Sequence, residues 1–133
     1  MRKLASIRKI ADIRPIPDAD AIEVAVVDGW KVVVKKGEYN IGDSAIYIEI
    51  DSWVPNALAP FLSKGQEPRE YNGVKGERLR TVKLRGTTSQ GLLLKLENCF
   101  DIIEKDGIKY INKLDNQIVR SSENEDIQDS KQE

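Results

Sequence analysis

Breakers punctuate this chain at short intervals between residues 15 and 91, at Pro15-Ile16-Pro17-Asp18, Asp28-Gly29, Lys36-Gly37, Gly42-Asp43, Pro55, Pro60, Gly65, Pro68, Gly73, Gly86 and Gly91, and again at Asp106-Gly107, and no long helical period runs between them. The runs between them are short, apolar and often alternating, which is the signature of strands and not of a 3.6-residue period. Residues 45–50 are the plainest case, with Ile46, Ile48 and Ile50 on one face and Ala45, Tyr47 and Glu49 on the other. Asp28-Gly29 is a two-residue hairpin signal joining 21–27 to 30–36.

The remaining runs fill in a barrel. Residues 4–13, rich in Ile and Ala, read as a first strand that stops at the proline-aspartate turn of 14–20. After 45–50 the pattern fades into an irregular insertion at about 51–77, with room for a helical turn near 58–62. Residues 78–85 and 91–96 read as two further strands joined by a 86–91 turn, 97–104 as a short helix, and 109–114 as a last extended segment. The expected class is all-β: a small five- to six-stranded Greek-key barrel of the OB type with an irregular insertion and short helical elements, its nearest competitor an SH3-like barrel. At 133 residues one domain is the default, and we bound it at 1–118. Residues 119–133 contain too little apolar side chain to offset ordering entropy and are expected to form a disordered acidic tail or linker.

Several chemistries are removed by composition. The chain has no histidine and one cysteine, so serine-histidine and cysteine-histidine mechanisms, an intrachain disulfide and a cysteine zinc cluster are all excluded. Cys99 beside Phe100 reads as a small buried hydrophobe. Asp18, Asp20, Glu49, Asp51 and Asp106 have simpler accounts as turn and strand-edge residues than as metal or acid-base groups, and no phosphate-cradling glycine motif occurs. No catalytic residue and no metal ligand is assigned. No apolar run is long enough to span a membrane or serve as a secretion signal, so no membrane partner is expected, and a cytoplasmic or other reducing intracellular compartment is.

Charge, averaged over the chain, is uninformative; divided along it, charge points to a ligand. Residues 29–96 hold 11 Lys and Arg against 7 Asp and Glu, whereas 97–133 hold 5 against 10. The basic centre peaks at Lys75, Arg78, Arg80, Lys83 and Arg85, a strip suited to a phosphate backbone. Ser89 and Gln90 in the following polar turn are supporting hydrogen-bonding candidates, and Lys31 and Lys35 are weaker cationic ones. Strand alternation limits the strip, because Lys83 and Arg85 share parity with each other and Arg80 with Val82 and Leu84. Trp30, Tyr39, Tyr47, Trp53 and Tyr71 are available for stacking on bases where exposed, or for the core.

Four stretches, 13–24, 29–33, 42–52 and 80–92, together resemble the N-terminal OB module of an ATP-dependent RNA ligase family, and Leu84-Arg85-Gly86 followed by Ser89-Gln90-Gly91 is the specific part of the likeness. The resemblance implies an RNA-binding module that positions a 3′-hydroxyl end or nick for joining to a 5′-phosphate by a nucleotidyltransferase domain in cis or in trans. For the intact ligase it implies ATP and a divalent metal, and no cofactor for this chain. Such ligases carry their nucleophilic lysine in Lys-x-Asp-Gly; here Lys105-Asp106-Gly107 lacks the spacer and reads as a turn. A stand-alone tRNA-binding OB domain, which Pro17-Asp18-Ala19-Asp20 resembles, and a protein-interaction module whose basic strip meets an acidic partner are the alternatives.

Overall fold

A computed structural model describes residues 4–112 and 118–120. The first apolar run is one bent strand in two pieces, β1 (Ala5–Lys9) and β2 (Asp12–Pro15). The bend is where the ladder changes partner: the Ile10 amide donates to the Asp43 carbonyl at 2.8 Å, and the next amide, Ala11, donates to Val26 on the other side at 2.8 Å. Ile10 itself turns inward and is 1% exposed.

From that bend the barrel can be followed round. β2 pairs with β3 (Ile22–Val27), and β3 with β4 (Trp30–Lys35) through the Asp28-Gly29 turn, with Val27 opposite Trp30. On the other side β1 pairs with β5 (Ser44–Ile48), which pairs in turn with β11 (Leu92–Leu94). The circuit closes between β4 and β10 (Thr87–Ser89), where the Gln90 amide donates to the Lys31 carbonyl at 2.8 Å and the Val33 amide donates to Ser89 Oγ at 2.9 Å. Counting β1 with β2 and β10 with β11 as single bent strands, the order is first, second, third, fifth, fourth and back to the first, a five-stranded Greek-key OB barrel.

β5, the plainest strand of the sequence, is buried on both of its faces. Ala45 and Tyr47 pack into the barrel lumen with Ala25, Val27, Val32, Val34, Tyr39 and Leu93. Ile46 and Ile48 point the other way into a second core with Val54, Leu58, Leu79, Leu94, Cys99 and Ile118. A central strand buried on both faces loses its polar side, so the alternation here sorts side chains between two cores and not between core and solvent. Cys99 is buried and free, as its neighbours suggested.

The second core is built under the insertion, where the turn-rich sequence still yields strands. Within 51–77 lie β6 (Ser52–Pro55), a 3-10 turn at Pro60–Ser63 and β7 (Arg69–Tyr71), followed by β8 (Val74–Arg78). These strands form a sheet in the order β14, β6, β8, β7, where β14 is Val119–Arg120. Val119 pairs with Trp53 and Arg120 with Ser52, so these two residues belong to the folded body and not to the tail where the sequence reading put them. The remainder of the expected tail, 121–133, lies outside the described residues.

Three further expectations differ from the structure. The strand expected at 78–85 is interrupted at Leu79–Thr81, where β8 ends and β9 (Val82–Leu84) has yet to begin. β9 forms a tight hairpin with β10 around Arg85-Gly86, both at positive φ (51° and 79°), so Thr87–Ser89 is strand and not the turn expected there. The short helix expected at 97–104 is a single 3-10 turn at Leu96–Asn98 followed by β12 (Ile102–Lys105), which pairs with β13 (Ile108–Ile111). The Asp106-Gly107 turn joins that pair, and a helix loses to a hairpin because Ile102 and Ile111 bury together against the second core. Residues 113–114 of the expected last extended segment lie outside the described residues.

Candidate nucleic-acid interface

Where β8 breaks off and β9 begins, the chain leaves a cleft of about 610 Å³ beside the barrel. Its floor is apolar and continuous with the second core: Leu79, Leu92 and Leu62, the last carried by the 3-10 turn. One wall is the β9–β10 hairpin, another the 3-10 turn with Lys64 and Glu67, and Val33 of β4 closes the barrel side. Arg69, Glu77, Arg78 and Arg80 complete the polar lining.

The hairpin wall follows from its register. Val82 lies opposite Ser89 and Leu84 opposite Thr87, so these four share one face, while Lys83 and Thr88 share the other. Val82, Leu84 and Ser89 line the cleft, which places Lys83 on the hairpin's far side. Val82 and Leu84 remain 47% and 43% exposed, an apolar pair that folding leaves in contact with water.

The predicted cations separate into three groups. Arg80 is exposed and lines the cleft; Arg85 is exposed at the hairpin tip. Lys31 and Lys35 stand two residues either side of Val33 on the same face of β4, so they flank the cleft. Lys83 faces away, and Lys75 is exposed on β8 opposite Glu70 of β7. Arg78 belongs to neither set: its guanidinium lies 2.8 Å from Asp51 Oδ1 with its side chain only 10% exposed, so it braces the end of β8 against the β5–β6 turn. As a freely reaching phosphate contact Arg78 is therefore corrected to a brace.

Ser89 and Gln90 also have structural work. Ser89 is 5% exposed, and its hydroxyl accepts the Val33 amide hydrogen that closes the barrel. Gln90 uses its amide for Lys31 and its carbonyl to accept from the Tyr47 hydroxyl at 2.8 Å. Gly91, at φ +120°, lies so close to the Tyr47 ring that a Cβ there would fall 2.4 Å from Cε1. The most specific motif of the sequence is thus a barrel-closing device: a two-residue turn, a hydroxyl in the seam and a glycine that admits a tyrosine.

Four of the five aromatics offered for stacking are core residues: Tyr39, Tyr47, Trp53 and Tyr71 are all under 5% exposed. Trp53 donates from Nε1 to the Val74 carbonyl at 2.8 Å and packs on Tyr71 with ring centroids 5.4 Å apart. Trp30 is half-buried against Tyr47. Burial pushes the Tyr39 hydroxyl well above its ordinary pKa, with Glu38 adding to the effect.

Sequence reasoning missed Lys64, Glu67, Arg69 and Glu77 as cleft residues. Arg69 pairs with Glu77 and lies over the Trp53 ring at 5.9 Å, and Glu77 also accepts the Arg78 amide at 3.0 Å. No local pattern announces them, because the cleft joins side chains from β4 to β11 that only the fold brings together. A second hollow, of about 460 Å³, lacks the apolar floor and mixes Glu38, Asp43 and Glu97 with Lys95 and Lys109.

A five-stranded Greek-key barrel with a long structured excursion before its last strand defines the class, and comparison agrees: the chain belongs to an OB-fold domain family, which matches residues 4–96. Among solved structures it is similar to an RNA ligase of Naegleria gruberi. The ligase with PPi shares 40% identity over 95% of this chain and 37% of its own, with a TM-score of 0.76. An apo mutant shares 41% over 91% of this chain and 35% of its own at 0.74, and a mutant with ATP and Mn shares 41% over 91% and 36% at 0.73. The chain thus spans little more than a third of the ligase chains it resembles. No curated protein matches it. No helix among the described residues is long and apolar enough to cross a membrane.

Proposed function

We propose that this chain is an RNA-binding OB module of the RNA-ligase kind, holding RNA at the cleft between the β9–β10 hairpin and the insertion so that a 3′-hydroxyl end or nick is presented for joining to a 5′-phosphate. The observation that carries the reading is the 40–41% identity to an RNA ligase over nine-tenths of the chain. It is supported by the cleft's composition, an apolar bed with Arg80 and Lys64 in its lining and Lys31 and Lys35 beside it. Cations at the rim hold the phosphate backbone while the bed meets sugar or base. Arg85 and Lys83 extend the positive field outward along the hairpin.

On this reading the joining chemistry belongs to a nucleotidyltransferase domain, in cis or in trans. The residues here do not fit a nucleotide-transfer site: Lys105 lies exposed beside the Asp106-Gly107 turn, away from both hollows. The ATP and divalent metal of the intact ligase accordingly have no step in this chain, and the compartment expected is cytoplasmic or otherwise reducing.

The test is RNA binding as a function of salt. The full chain should bind 3′-hydroxyl RNA with log K falling linearly against log salt, and each of Arg80→Ala, Lys31→Ala and Lys35→Ala should flatten the slope by about 0.7 for a single strand. An affinity indifferent to salt, or unchanged in the Arg80→Ala protein, would contradict the proposal.

A further inference from the structure

Resting on the RNA-binding reading, we infer that the cleft receives one unpaired base carrying an exocyclic amine, that Glu67 is the group that reads it, and that the phosphates stay outside on the basic rim.

The cleft is not uniformly positive. Two carboxylates, Glu67 and Glu77, line it along with Lys64, Arg69, Arg78 and Arg80. The carboxylates break up the positive field of the lining, so phosphates are better held by the exposed cations at the rim, Lys64 and Arg80 with Lys31 and Lys35 beside them. What suits the interior is flat and neutral, with apolar faces and polar edges. Val82 and Leu84 offer an apolar wall beside the apolar floor of Leu62, Leu79 and Leu92, in a volume within the usual range for a small-molecule pocket. Bases held outside a helix are gripped between such side chains.

The polar edge selects among bases. Glu77 is already engaged by Arg69 and by the Arg78 amide. Glu67, exposed on the stretch after the 3-10 turn, has no partner among the described residues. An ionised carboxylate only accepts hydrogen bonds. Cytosine, adenine and guanine present amino groups to it, whereas uracil flanks its single ring N–H with two carbonyl oxygens that a carboxylate repels. Because a base in the cleft has left any duplex, the site takes single-stranded RNA or a frayed end.

The experiment compares two pyrimidines, so that strand stacking and size stay nearly constant. Short homopolymers of cytidylate and uridylate, each with a 3′-hydroxyl, are titrated against the full chain and its Glu67→Ala variant by fluorescence anisotropy. The inference expects cytidylate to bind roughly fivefold to tenfold tighter than uridylate, and Glu67→Ala to erase that ratio while uridylate binds as well as before or better. Glu67 is exposed, so the variant's thermal midpoint should match the parent. Equal affinity for both RNAs in the parent, with salt-dependent binding intact, would overturn the base-reading role and leave RNA binding standing. Absence of binding to either RNA would overturn both.

Discussion

The β3–β4 and β9–β10 hairpins each turn on two residues at positive φ, Asp28-Gly29 and Arg85-Gly86, and each carries lysines among its apolar side chains, Lys31 and Lys35 in β4 and Lys83 in β9. In the first, Ala25, Val27, Val32 and Val34 face the lumen and are buried, leaving Lys31 and Lys35 outside. In the second, Val82 and Leu84 have nothing beneath them but the cleft. The same two-residue period therefore stabilises the barrel in one place and leaves an exposed apolar surface in the other. Apolar side chains that folding leaves uncovered are where a ligand gains most from desolvation.

That contrast can be broken by mutation, beginning at the seam where the two hairpins meet. Gly91→Ala sets a methyl group against the buried Tyr47 ring at a backbone angle hostile to a side chain, and should cost about 3 kcal/mol or more in urea unfolding. A variant as stable as the parent would mean the seam tolerates displacement. Val27→Ala in the lumen should cost about 2 kcal/mol. Ser89→Ala orphans the half-buried Val33 amide and should cost about 1 kcal/mol; if it instead weakened RNA binding with no loss of stability, Ser89 would be a ligand contact and the seam assignment wrong.

Two smaller effects sharpen the comparison. Tyr39 lies in the lumen core and its folded pKa is raised, so its stabilisation is complete below its ordinary value near 10 and declines as pH rises beyond it, where only the unfolded chain ionises. Melting curves should show a steeper alkaline loss in the parent than in Tyr39→Phe. Leu84→Ala should leave stability within about 0.5 kcal/mol while weakening RNA binding, the reverse of Val27→Ala.

The barrel was legible because its signals are local. Asp28-Gly29 fixes a register, and the alternation of 45–50 fixes a strand, whatever surrounds them. What escaped the sequence was tertiary. The bend at Ile10 reads as continuous strand, since nothing in Ile10-Ala11 shows that their amides reach different partners. The strands inside 51–77 exist because Trp53 and Tyr71 bury together, a contact across 18 residues of turn-rich sequence. The basic strip was visible, but its division was not: Asp51 claims Arg78 across 27 residues, and hairpin register turns Lys83 away from Arg80's cleft. Charge spacing locates a field, and the fold decides which side chains share a surface.

RNA held as proposed occupies the cleft and not another face of the barrel. Methyl-detected NMR of the full chain during titration with single-stranded 3′-hydroxyl RNA tests it most directly. The account predicts shifts at Val33, Leu62, Val82, Leu84 and Leu92, with the lumen methyls of Val27 and Val32 nearly still. Shifts confined to the β12–β13 hairpin at Ile108, with those cleft methyls unmoved, would contradict it.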